Sequence, residues 1–174
     1  MLFQLYNRML VRRPYATNAV TTAFLFGAGD VLAQKVGSSK DYDFSRTARA
    51  VIYGGVVFAP LGDQWYKFLA RTVIGKTNVT QTAARVVVDQ GVFAPFIGIP
   101  LYYSAMGLME GRSVEDTQQK LSRNWWPTLV SNWSVWPIFQ AVNFGFVPVA
   151  YRLMAVNVVS IGWNCFLSMK NAES

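Results

Sequence analysis

Long apolar runs alternate with short polar stretches along this chain, and the runs have helical rather than strand periodicity. Tyr15 to about Val36 reads as a first spanning helix (15–36), in which Ala19, Ala23 and Gly27 form a small-residue ridge suited to close helix contact. Asp30 and Gln34 fall within about 80° of that ridge, so they point at neighbouring helices, either as packing residues or as a pore carboxylate and its partner. A polar loop over 37–43 follows, and Ser45 is placed to cap the next helix. The longest uncharged run of the second span (47–71) is only thirteen residues, Ala50 to Gly62, and the span carries Asp63 and Lys67 as an i, i+4 pair. A basic loop over 67–85 leads into the third span (82–109), which holds Asp89 and Gln90 and is uncharged for twenty residues from Gln90 onward. Pro95 and Pro100 predict kinks in it. Ser113, followed by Glu115 and Asp116, predicts a capped helix start and an amphipathic segment to about Arg123. The last span (148–170) carries Asn157, Ser160, Asn164 and Ser168 at helical spacing, a polar stripe for a partner helix or for water.

Between the last two segments lies the stretch that governs the reading. Asn124 to Tyr151 is 28 residues without a charge, and it holds four of the six tryptophans, at 125, 126, 133 and 136. Its length would cross a bilayer, which takes about 20 apolar residues. Pro127, Pro137 and Pro148 interrupt the backbone ladder, however, and Asn132, Gln140 and Asn143 are costly against lipid. The expectation is a broken or re-entrant segment over 124–147, packed inside a bundle or lining a wet cavity.

The fold class that follows is all-α: one polytopic membrane helix bundle over residues 1–174, with about four spans, the broken segment and a short amphipathic N-terminus. Composition strengthens this, since only 14% of residues are charged and 52% are hydrophobic, against about 25% charged in soluble proteins. A soluble all-α domain is the competing reading, and the apolar runs are too long and too closely spaced for it. Four full spans place both termini on one side. A short repeat joins the second and third spans: Gly55-Val56-Val57-Phe58-Ala59-Pro60 aligns with Gly91-Val92-Phe93-Ala94-Pro95 through one gap.

Charge and special residues then remove function classes. The net charge of +7 is scattered between apolar runs, which fits anionic lipid head groups and not a nucleic-acid patch. No secretory signal is expected, and the acid-free arm with Arg8, Arg12 and Arg13 suits mitochondrial import or a membrane surface. Gly75-Lys76-Thr77 imitates the end of a phosphate-binding loop, but Ala70 stands where its first glycine belongs. With no His, one Cys and no glycine fingerprint, neither an enzyme nor a metal or cofactor site is expected. The single Cys165 excludes an internal disulfide and leaves a buried inert thiol or an intermolecular redox bridge. Ionisable groups inside apolar segments are functional candidates by default. Asp30, Gln34, Asp63, Asp89, Gln90, Gln140, Asn143, Arg152, Asn157 and Asn164 are therefore the pore or polar-interior set. Arg152 either snorkels to the interface or pairs with Asp30, Asp63 or Asp89.

The motif Trp133-x-x-Trp136-Pro137-x-x-Gln140-x-x-Asn143-Phe144-x-x-Val147-Pro148-x-x-x-Arg152, followed by Trp163-Asn164-x-x-Leu167-Ser168, resembles the signature of the Mpv-seventeen and peroxisomal membrane protein family. Gly29-Asp30-x-x-x-Gln34, Pro60-x-x-x-x-Trp65-Tyr66 and Asp89-Gln90-x-x-x-x-Pro95 fall in that family's order, so the likeness covers nearly the whole chain. Family members often carry His shortly before the Trp-Tyr pair, where this chain has Asp63 and Gln64. The resemblance, closest to fungal mitochondrial members, implies a multi-pass protein of the mitochondrial inner membrane, with the peroxisomal membrane as the alternative. It implies a channel or pathway for small ions or metabolites that supports nucleotide-pool and mitochondrial DNA homeostasis under stress. Trp133, Trp136, Pro137, Phe144, Pro148 and Trp163 would be its structural motif, with lipids and further copies of the chain as partners. A non-conducting scaffold or lipid-interacting protein is the other reading, with the acids as structural ion pairs.

Overall fold

A computed structural model describes residues 2–36, 41–75 and 77–173, and among these every regular element is a helix. In chain order they are α1 (Leu2–Arg12), α2 (Pro14–Val36), α3 (Phe44–Ile52), a π-helical stretch π1 (Tyr53–Phe58) and α4 (Ala59–Thr72). Then come α5 (Asn78–Val88), a second π-helical stretch π2 (Asp89–Gly98), α6 (Ile99–Met109), α7 (Val114–Phe146) and α8 (Val149–Glu173). Helices α3–π1–α4 and α5–π2–α6 are each continuous, so every expected span is a helix. Two of them, Asn78–Met109 and Val149–Lys170, are long and apolar enough to cross a membrane.

The distribution of side chains settles the class. Phe24, Phe96 and Ile138 are 71%, 69% and 75% exposed, whereas Thr22 and Asn143 are 0% and Asp30 is 1%. A soluble domain sorts these residue types the other way. Large apolar side chains outside and amides and acids inside are what a bilayer selects, because lipid cannot hydrogen-bond a polar group. The chain is an all-α membrane helix protein.

Contacts divide the chain into two compact units, residues 1–68 with 148–170, and residues 69–147 with 171–174. In the first unit the small-residue ridge of α2 does what its spacing predicts. A Cβ built on Gly55 would lie 3.0 Å from the Ala23 Cβ and 3.3 Å from the Ala19 carbonyl oxygen, so the two backbones touch. Another face of α2 meets α8, where a Cβ on Gly29 would fall 2.7 Å from the Asn164 Cβ and 3.0 Å from the Ile161 carbonyl. The amphipathic α1 is tied to the start of α8 by the Tyr151 hydroxyl, which donates to Asn7 Oδ1 at 2.7 Å.

Three local expectations need correction. Asp43, not Ser45, caps α3: its extended backbone aims the carboxylate at the Arg46 N–H, whereas Ser45 already lies inside the helix. The basic loop over 67–85 shrinks to 73–77, because α4 continues to Thr72 and Thr77 forms a capping box with Thr80 that starts α5 at once. Arg85 is buried in that corner and donates to the Leu69 and Ala70 carbonyls near the C-terminal end of α4. Gly75-Lys76-Thr77 falls at the same turn, with Lys76 outside the described residues.

The third correction concerns the Trp/Pro-rich segment. It is not broken: α7 runs unbroken from Val114 to Phe146 through Pro127 and Pro137, beginning at the Ser113 cap as expected. Each internal proline removes a ladder bond. What holds the helix together is its neighbour, since Trp125, Asn132, Trp133 and Gln140 all donate to residues of π2, four bonds along one face. The kink expected at Pro95 and Pro100 is resolved as a change of register. The π2 register reaches back five residues, as the Ile99 N–H does to the Ala94 carbonyl. Both copies of the short sequence repeat overlap π-helix, Tyr53–Phe58 in one, where Ala59 and Pro60 already belong to α4, and Asp89–Gly98 in the other.

Candidate functional site

Each unit carries its own string of buried polar side chains, and most of the predicted residues fall into them. In the first unit the centre is Asp30. Its Oδ1 accepts from Arg46 Nε at 2.8 Å and from the Ser168 hydroxyl, and its Oδ2 accepts from Gln34 Nε2 at 2.9 Å and Thr47 Oγ1 at 2.6 Å. Gln34 completes the link to α3, taking the Asp43 N–H on its Oε1 at 2.7 Å and returning a bond to the Asp43 carbonyl at 2.9 Å. One carboxylate thus joins α2, α3 and α8, and Arg46 balances its charge. Arg46 and Thr47 were not in the predicted set. Nothing in their local sequence marks them, because the bonds span sixteen and seventeen residues.

Further along the same helices, Asn157 Nδ2 donates to Thr22 Oγ1 at 2.7 Å, and Asn164 lies against Gly29. The polar stripe of α8 therefore faces α2, as its spacing predicts. Asp63 sits elsewhere in the unit. It accepts from Asn18 Nδ2 at 3.1 Å and from Lys67 Nζ at 2.6 Å, and Lys67 lies 5.0 Å from the centre of the Tyr15 ring. Neutralisation by Lys67, the plainer of the two readings of Asp63, is what the geometry gives. Arg152 is buried near the start of α8 rather than snorkelling outward.

The second unit holds a string of amides on π2 and α7. Asp89 Oδ2 accepts from Gln90 Nε2 at 2.7 Å and from Gln140 Nε2 at 2.9 Å. Gln140 Oε1 takes Asn143 Nδ2 at 2.9 Å, and Gln90 Oε1 takes Asn132 Nδ2 at 2.8 Å. All of Asp89, Gln90, Asn132, Gln140 and Asn143 are buried. The tryptophans divide by role. Trp133 and Trp125 give their indole N–H groups to the Gln90 and Pro95 carbonyls, at 3.0 and 2.8 Å. Trp136 and Phe144 are buried, and Trp163 stacks at a tilt on Phe166 with ring centres 5.1 Å apart. Pro137 lies inside α7 and Pro148 separates α7 from α8. Cys165 is free and of intermediate exposure.

The sequence pattern of the Mpv17 / PMP22 family matches residues 107–168, the region of α7 and α8 that carries both motif strings. Similarity to individual relatives runs much further. A protein named SYM1 from Kluyveromyces lactis is 52% identical over 97% of this chain and 89% of its own length. The chain belongs to the Mpv17 / PMP22 family. Protein SYM1 of Saccharomyces cerevisiae is 48% identical over 99% of this chain and 91% of its own. Protein sym-1 of Neurospora crassa is 47% identical over 97% and 98%. No solved structure matches this member of the Mpv17 / PMP22 family.

Proposed function

We propose that the protein is a multi-pass protein of the mitochondrial inner membrane that forms a pathway for small ions or metabolites and is not an enzyme. One observation carries the reading. Polar and ionisable side chains run in buried strings along helices whose outer faces are apolar, Asp30 to Asn157 in the first unit and Asp89 to Asn143 in the second. Groups of this kind are expensive inside a membrane and mark solute routes there. The mitochondrial address and the role in nucleotide-pool homeostasis under stress rest on the family resemblance. Anionic lipids would meet the basic flanks, and a second copy of the chain would complete a wider pore.

A second reading, a non-conducting scaffold, is favoured by one specific feature. Both oxygens of Asp30 are fully used by four donors, the pattern of a structural joint. Current from purified protein in planar bilayers separates the two, with Asp30→Asn, Asp63→Asn and Asp89→Asn beside the unmodified chain. A pathway gives current whose cation preference falls in at least one folded variant. Silence across voltages from a folded, monodisperse sample assigns the protein to the scaffold reading.

A further inference from the structure

We propose that the seam between α2 and α8 in the first unit takes water and other small uncharged hydrogen-bonding molecules, held by Asn157 and Asn164. Two buried polar atoms along this seam, Asn157 Oδ1 and Asn164 Nδ2, have no hydrogen-bond partner among the described residues, and Nη2 of Arg46, a residue of α3 that reaches Asp30 and Ser168 at the end of the seam, has none either. Asn157 is 1% exposed and Asn164 is 5% exposed, so neither atom is met by the surroundings of the protein. A buried amide group left unmet costs about 1–3 kcal/mol. Two such groups on one helix face therefore point to a guest that meets them.

The chemistry of the three atoms defines that guest. Asn164 Nδ2 and Arg46 Nη2 donate and Asn157 Oδ1 accepts, so the guest must both accept and donate. Charge excludes an ion as the preferred occupant, because Arg46 and Asp30 cancel at 2.8 Å. Spacing then gives a line rather than a point. Asn157 and Asn164 are seven residues apart, two helical turns or about 10.5 Å, on nearly the same face. Ser160 lies between them and Ser168 beyond, both buried, so successive polar groups are about one turn apart. A single water molecule bridges a gap of that size when it has two to four polar partners. Gly29 keeps α2 close against this line, and its packing on Asn164 fixes where the amide sits.

This inference rests on the pathway reading for its use, but its test is separate. In a Cys165→Ser background, cysteines are placed at Asn157, Ser160, Asn164 and Ser168, and at Val158, which is 59% exposed on the outer face. Each variant, in liposomes, is treated with a charged, membrane-impermeant thiol reagent. Thiolate forms only where water reaches, so the stripe positions should react about tenfold or more faster than Val158→Cys. The unmodified protein in proteoliposomes should also raise the shrinking or swelling rate in stopped-flow experiments with water and urea above that of protein-free vesicles. Unreactive stripe cysteines in folded variants overturn the inference, as does an unmodified protein that leaves water and urea permeability at the vesicle baseline. Current in bilayers with an unreactive stripe removes the inference and keeps the pathway. A reactive stripe and raised permeability without current keep the hydrated seam and remove ion conduction.

Discussion

The indole N–H of Trp133 donates to the backbone carbonyl of Gln90 at 3.0 Å, and that carbonyl is the one Pro95 cannot serve. In a π-helix the N–H of residue 95 would reach residue 90, and proline has none. The same relation recurs five residues on. Pro100 cannot serve the Pro95 carbonyl, and Trp125 does so at 2.8 Å. Two prolines five apart on one helix are thus answered by two tryptophans eight apart on its antiparallel neighbour. Trp133→Phe keeps the ring and removes the donor, and leaving a carbonyl unmet should destabilise the protein by about 1–3 kcal/mol. Pro95→Ala returns an N–H to the helix, so Trp133→Phe combined with Pro95→Ala should lose less than Trp133→Phe alone. Thermal unfolding in detergent, run as a double-mutant cycle, reads both. A neutral Trp133→Phe would show that another donor serves Gln90.

The Asp30–Arg46 pair gives a prediction with a sign. Asp30 is 1% exposed and Arg46 18%, so removing one partner strands a charge with little water to screen it. Arg46→Gln should cost about 3–5 kcal/mol, because it leaves the carboxylate deep in the unit. Asp30→Asn combined with Arg46→Gln should cost less than the sum of the two single changes, since the amide and the shortened side chain no longer carry a net charge. Unfolding midpoints for the three variants check this. Additive losses would mean that the pair is held by its neighbours and not by mutual attraction.

Much of this architecture was legible from local pattern. The ridge of Ala19, Ala23 and Gly27, the stripe of Asn157 to Ser168 and the Asp63–Lys67 pair follow from helical periodicity and the Ser113 cap from residue type, and all appear in the structure. What was not legible depends on distant partners. Continuity of α7 through Pro127 and Pro137 follows from four bonds to π2, which no window of α7 contains. Arg46 and Thr47 became part of the site only because α3 packs beside Asp30 of α2. The choice of Asp43 over Ser45 as cap was set by which residue left the helical backbone first, a matter of φ and ψ rather than of residue type.

The Asp63–Lys67 pair should behave differently from the Asp30 hub. The Lys67 side chain is 38% exposed, and an exposed i, i+4 pair contributes about 0.3–0.5 kcal/mol. Lys67→Met should therefore change stability by less than about 1 kcal/mol. Asp63→Ala also strips Asn18 of its buried acceptor and should cost about 1–3 kcal/mol. Chemical unfolding of the two variants side by side measures the difference. Equal losses would make the ion pair, and not the Asn18 bond, the main contribution of Asp63.

Two glycines on the helices of the first unit make opposite predictions for the same substitution. At Gly162 an added Cβ meets nothing within 4 Å, so Gly162→Ala should stabilise α8 by about 0.5–1 kcal/mol through backbone entropy alone. At Gly29 the Cβ would fall 2.7 Å from the Asn164 Cβ and 3.0 Å from the Ile161 carbonyl oxygen. The second neighbour is backbone and cannot rotate away, so α2 and α8 must separate. Overpacking of this kind costs about 1–3 kcal/mol, which outweighs the helix-propensity gain. Gly29→Ala should accordingly lower the unfolding midpoint while Gly162→Ala raises it. Because the seam next to Gly29 holds Asn164, the same substitution should also change thiol reactivity at an Asn164→Cys position and leave Val158→Cys unaltered. Stability loss without that change in reactivity would mean that the strain relaxes away from the polar stripe.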